Sequence, residues 1–204
     1  MRTSSLSRLL FATGVAAATL TACDSTRQVA SESSSSPLPS TPAIDEGDVS
    51  FNQEVTQGDR RFEVKTFGSQ DPRVVSIRVY KGQSLTADPL RTSVVGAVTG
   101  VKSGDLNGNG QPELYVMTDN RKANGGLYAF EFSDNGYKPI SMPGTPAGQA
   151  GMGYDGQDMY QISGNKLMRM FPVTGDSVKT SRTVEYTLDP SGRLMMGQSM
   201  DAQR

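Results

Sequence analysis

The chain has no histidine and no tryptophan, and its 204 residues include a single cysteine. Without histidine there is no Ser-His-Asp or Cys-His nucleophile system and no imidazole metal site. Catalysis would have to rest on carboxylates, lysine or tyrosine alone, and the chain reads as a non-enzyme. Without tryptophan, a sugar-binding face built on aromatic platforms is disfavoured. No long basic run is present, which argues against nucleic acid as a partner. Also missing is any window of a dozen residues with a helical apolar stripe free of Gly and Pro.

What is present starts with MRTSSLSRLLFATGVAAATLTA, where Arg2 and Arg8 precede an apolar run from Leu9 to Leu20. That is the layout of a secretory signal, residues 1–22, and it is too short for a spanning helix. Leu20-Thr21-Ala22-Cys23 looks like a bacterial lipobox, whose cysteine carries thioether-linked and amide-linked acyl chains of the palmitate type. Cys23 is the lone cysteine, and an ordinary free thiol would be a liability in an oxidising compartment. Two or more acyl chains give a stable anchor, so the expectation is a lipoprotein on a membrane facing the periplasm or the outside.

Residues 23–50 are then the lipidated cysteine and a Ser/Pro-rich disordered tether, with a reach of roughly 30 Å by flexible-coil scaling. Loss of Arg2 and Arg8 with the signal leaves 18 basic against 21 acidic residues, a net charge of −3. Residues 51–198 are long enough for one domain and too short for two, with 199–204 expected as a C-terminal tail.

Within the domain, Phe62, Val64 and Thr66 alternate with Arg61, Glu63 and Lys65, and Val75, Ile77 and Val79 repeat the pattern. Period two marks strands with one buried face. Further strands are expected at 92–101, 113–118, 126–132, 159–162, 166–173 and 181–188, with a last one near 194–196. Turn formers such as Asp134-Asn135-Gly136 and Ser163-Gly164-Asn165 separate them. The fold class is therefore all-β, an antiparallel β-sandwich or barrel in a single domain. The segment SMPGTPAGQAGMGYDG, residues 141–156, is the least regular part, and long loops in compact domains are more often functional or mobile than idle.

In DLNGNGQPELYV, Asp105, Asn107, Asn109 and Glu113 take positions one, three, five and nine of a D-x-N-x-N-G-x-x-E run. Calcium needs six or more hard oxygens, which alternate residues of a tight glycine-containing loop can aim inward, with the Gln111 carbonyl as another. Val116 stands where an EF-hand loop has its bidentate glutamate. A polar β-turn accounts for the same residues, so calcium and turn both stay open. The acidic pairs Asp155 with Asp158 and Glu131 with Asp134 are candidates for acid and base, and Met168, Met170, Met195 and Met196 are expected to fill core gaps.

Five segments occur in order: DLNGNGQPELYV, GLYAF (126–130), GYDGQD (153–158), LMRMFP (167–172) and RTVEYTL with Arg182, Tyr186 and Leu188. Together they resemble the periplasmic inhibitors of invertebrate-type lysozyme, over roughly Val95 to Leu188 and more weakly back to Phe62. The resemblance implies a β-sandwich and an envelope protein that inhibits by stoichiometric binding, a loop entering the enzyme's cleft and occupying its catalytic carboxylates. It implies no cofactor and no bond chemistry.

The family's inhibitory loop carries an S-G-x-Y pattern just before the GLYAF-like strand, where this chain has Arg121-Lys122-Ala123-Asn124. Gln157 likewise replaces the family's histidine, while Gly153, Tyr154, Gly156 and Asp158 match. Arg121, Lys122 and Asn124, with Tyr154 alongside, are the expected partner-binding residues, with Arg121 and Lys122 as the cations that meet an acidic cleft. The alternative is an envelope binding or structural module without inhibition, stabilised by calcium. A homodimer is compatible with either.

Overall fold

The computed structural model of the protein describes residues 42, 44–119, 126–174 and 180–203. Cys23, the expected tether up to residue 41, and Arg121, Lys122 and Asn124 lie outside them.

Three antiparallel sheets account for most of the described residues. The first holds β1 (Val49–Gln57), β2 (Arg60–Phe67), β3 (Arg73–Lys81), the short β4 (Ser84–Leu85) and β5 (Leu90–Val94), in the order β1-β2-β3, with β4 and β5 both paired to β3. The second is a meander of β6 (Ala97–Gly104), β7 (Glu113–Asp119), β8 (Leu127–Ser133) and β9 (Gly136–Ile140). The third is a meander of β10 (Met159–Ser163), β11 (Lys166–Val173), β12 (Thr180–Leu188) and β13 (Leu194–Gln203). One short 3₁₀ turn, Gly148–Gly151, interrupts the long 141–158 segment. The all-β sandwich expected from the pattern is what forms.

The sandwich has three layers because the middle sheet is buried on both faces. Leu114 and Val116 of β7, with Phe130 and Phe132 of β8, pack against Phe62, Val64, Val75 and Ile77 of the first sheet. Tyr115 of β7, with Leu127 and Ala129 of β8, packs against Leu167, Phe171, Val184 and Tyr186 of the third. Alternation places i and i+2 on one face, so two buried faces turn ELYVMTD and LYAFEFS into nearly unbroken apolar runs. Each buried Leu, Val or Phe contributes about 1.5–3 kcal/mol.

Polar side chains close the seam between the first two sheets. The Gln53 amide on β1 donates to the Val101 carbonyl at 3.2 Å and accepts from the Val101 N–H at 3.1 Å, occupying backbone groups on the β6 edge. Buried Arg60 reaches from β2 to the Ser133 carbonyl at 3.1 Å and to Asp134 at 2.6 Å.

Several expectations are corrected. The sheet begins at Val49, inside the stretch expected as tether, because Val49 to Gln57 find partners along β2. The expected tail at 199–204 is strand through Gln203, since Ser199 to Gln203 pair with β12. The single strand expected over 92–101 is two, with β5 ending at Val94 on the first sheet and β6 starting at Ala97 on the second. Met195 and Met196 are 50% and 43% exposed on β13, so they fill no core gap. β1, β4 and β9 have no counterpart among the expected strands.

Candidate functional site

The signature segments meet inside the molecule. Arg169, from LMRMFP, is at 0% exposure with its side chain turned into the second core. It donates from Nε and Nη2 to both oxygens of Asp158 at 2.7 and 2.9 Å, from Nη1 to the Gly144 carbonyl at 2.7 Å, and from Nη2 to the Tyr154 hydroxyl at 2.8 Å. Tyr154 in turn donates to Asp158 at 2.6 Å, and its ring lies 5.0 Å under the guanidinium. Desolvation works against the Arg169 charge, but the Asp158 hydrogen bonds and the surrounding oxygens outweigh it and hold its pKa above the usual value. Burial, reinforced by the bond to Asp158, pushes the Tyr154 hydroxyl up to about 12. Tyr115 and Tyr160 hydroxyls are buried nearby, and burial raises both.

This network fastens the 141–158 segment to the third sheet. Arg182 on β12 adds a second clamp, donating to the carbonyls of Gln149 at 2.7 Å and Met152 at 2.8 Å while its Nε and Nη2 bind Asp201 at 2.6 and 2.7 Å. A Cβ at Gly151 would stand 2.0 Å from the Pro146 carbonyl, so the close return of the chain requires glycine there. The irregular loop is thus a pinned one. Tyr154, expected beside the partner-binding residues, commits its hydroxyl to this interior network.

The Asp105 to Glu113 loop is drawn around its own backbone. Asp105 accepts from the N–H groups of Asn109 at 3.0 Å and Gly110 at 2.9 Å, Asn107 Oδ1 accepts from Asn109 N–H at 3.1 Å, and Asn109 Oδ1 accepts from Gln111 N–H at 2.7 Å. Gly110 has φ +78°, which permits the tight path. Glu113 starts β7 at 0% exposure and takes the Leu106 N–H at 2.8 Å. Desolvation, with Asp105 and Glu131 close by, pushes its carboxyl up to about 7.

Glu131, directly across from Glu113 in the β7–β8 register, receives the amide NH₂ groups of Asn107 at 2.9 Å and Asn109 at 3.1 Å on one oxygen. Three of the four carboxylates weighed as acid and base have other partners. Asp158 is taken by Arg169, Asp134 by Arg60, and Glu131 by the two asparagines.

Arg169 and Glu131 carry more of the interior chemistry than the sequence reading gave them. The signal was present: Arg169 shares strand parity with Leu167 and Phe171, and Glu131 with Leu127 and Ala129. A charge at a core-facing position demands a buried partner.

The far end of β7 leads to the expected partner-binding segment. Thr118 N–H donates to the Gly126 carbonyl at 2.6 Å, so the two strands arrive side by side at residues 119 and 126. A Cβ at Gly126 would stand 2.0 Å from the Thr118 carbonyl, which leaves room only for glycine. Beside this end is a cleft of about 280 Å³ lined by Thr99, Met117, Asp119, Asp158, Met159 and Tyr160. It combines apolar methionine surface with Tyr160 and Asp119, while the Asp158 carboxylate behind it is held by Arg169. The chain matches no protein-family model, no curated protein and no solved structure.

Proposed function

We propose that the protein is a non-catalytic lipoprotein of the bacterial cell envelope that binds and inhibits a lysozyme, presenting the β7–β8 end of its middle sheet to the enzyme's active-site cleft. The observation that carries the reading is the convergence of the ordered signature segments. Tyr115, Tyr154, Arg169 and Tyr186, from four of them, lie together in or against the core between the second and third sheets. Matches that are scattered along 94 residues of sequence, Val95 to Leu188, thereby belong to one three-dimensional unit. In the sequence, Arg121 and Lys122 follow the end of β7, and cations there suit the acidic cleft of a lysozyme. Cys23 supplies the membrane attachment in this reading.

The test is a lytic assay in which the mature chain, from residue 24 on and without lipid, is titrated against lysozymes of the invertebrate, chicken and goose types. Inhibition of at least one supports the proposal, and full lysis of all three at micromolar protein rejects it.

One observation favours a second reading, an envelope binding or structural module without inhibitory activity. Tyr115, Arg169 and Tyr186, from three of the segments that carry the resemblance, are buried and so specify the fold, while Arg121 to Asn124 replaces the S-G-x-Y pattern of the inhibitory loop. Rejection in the lytic assay would leave this reading.

A further inference from the structure

We infer that the Asp105 to Glu113 loop and Glu131 together form a binding site for a divalent cation of the calcium class. The D-x-N-x-N-G-x-x-E spacing alone is ambiguous, because its position-twelve residue is Val116. What the spacing could not show is that β8 brings a second glutamate to the loop. Glu131 stands opposite Glu113 in register, is 6% exposed, and is met on a single oxygen by the side chains of loop positions three and five, Asn107 and Asn109.

The second observation is an oxygen without a partner. Glu113 is at 0% exposure and points into the loop, where Oε2 accepts the Leu106 N–H at 2.8 Å, while Oε1 is buried and receives no hydrogen bond among the described residues. A buried carboxylate oxygen left so is costly, and a cation removes that cost. Among the described residues no Lys or Arg forms an ion pair with Asp105, Glu113 or Glu131. The two asparagine NH₂ groups are the positive poles that Glu131 has instead.

Carboxylates by themselves do not form a cage: no three His, Cys, Asp or Glu side chains are grouped to hold a metal among the described residues. The inferred site therefore depends on neutral oxygens as well. A half-turn of each terminal amide exchanges its NH₂ for its carbonyl oxygen, turning Asn107 and Asn109 from donors toward Glu131 into ligands beside it. Through that exchange the Asn109 N–H keeps Asp105 as acceptor, while the Gln111 N–H gives up the Asn109 oxygen, a loss that the bound cation must outweigh. With Asp105, Glu113 and the Gln111 carbonyl, the set reaches the six oxygens that calcium requires. Its carbonyl-rich, irregular character suits calcium better than magnesium, which keeps several waters in a strict octahedron. The inference is independent of lysozyme binding.

The experiment is thermal unfolding of the mature chain by far-UV circular dichroism in chelator, in calcium and in magnesium, alongside calorimetric calcium titration. A cation bound only by the native state raises Tm by about 3 to 6 °C at roughly ten times its Kd. Expected are that rise with calcium, a much smaller one with magnesium, and its loss in Glu131→Gln, which can still accept both asparagine amides. Asn109→Ala, at an exposed loop position, is the second variant and should weaken the calcium rise. Identical melting in chelator and millimolar calcium with no calorimetric signal overturns the inference. A calcium rise that both variants retain in full overturns the site.

Discussion

Arg169 and Asp158 form a bidentate ion pair, with Nε to Oδ1 at 2.7 Å and Nη2 to Oδ2 at 2.9 Å, and their side chains are 1% and 2% exposed. Removing two such charges from water is costly, and the pair persists because the Gly144 carbonyl and the Tyr154 hydroxyl complete its hydrogen bonds. Removing one partner alone is the damaging change. Asp158→Ala should destabilise by about 3–5 kcal/mol, since it leaves Arg169 buried and uncompensated. The double variant Asp158→Ala with Arg169→Met should recover much of that loss. Urea unfolding followed by circular dichroism measures both, and equal losses in the single and double variants would contradict the account.

The pinned loop gives a second expectation. Arg182→Ala frees the Gln149 and Met152 carbonyls and releases Asp201, without touching either core. Global stability should fall by about 1–3 kcal/mol, the range for charge-assisted hydrogen bonds. Amide exchange should accelerate over residues 148–153 well before it does in β7. Uniform acceleration across the domain would show that Arg182 does not act on the loop.

Acid should act first on the β12–β13 hairpin. Hydrogen bonds from Ser191 and from the Arg193 N–H hold the half-buried Asp189 carboxyl at about 2, and the Arg182 guanidinium lowers Asp201. Both folded-state values lie below the ordinary 3.8, so their stabilisation is complete above it and is lost as pH falls toward 2. Amide protection in β12 and β13 should therefore drop over that window before the middle sheet responds. Asp189→Asn should remove the part that belongs to the turn. Loss of protection first in β7 and β8 would count against it.

In the seam between the first two sheets, one amide serves both backbone groups of Val101. Gln53→Ala deprives both backbone groups of Val101 of their partner and should cost about 1–3 kcal/mol. Chemical denaturation of the variant checks this, and an unchanged midpoint would place the seam's stability in the apolar core alone.

How far the sequence could be read depends on how local the signal is. Alternation in RRFEVKTF and RVVSIRVYK fixes strands with one wet face, and those appear where the pattern puts them. β7 and β8 were found as strands, but their continuous burial, and with it the third layer, depends on which sheets stack against them. That is a long-range fact. β1 carries no such signal because VSFNQEVTQ is an edge strand, exposed or half-buried along its whole length.

The candidate site divides in the same way. Asp105 to Glu113 is local, so its residues and turn geometry were legible. Glu131 enters through strand register, and Arg169 finds Asp158 and Tyr154 only after the 141–158 segment folds back, so neither partnership follows from spacing.

The proposed inhibition, one-to-one occupation of a lysozyme's cleft, is read from the residual lytic activity of an invertebrate-type lysozyme against added mature chain. The account predicts a linear fall with an end-point at one equivalent, and weaker inhibition when Arg121 and Lys122 are both replaced by alanine. Undiminished lysis at a large molar excess would contradict it.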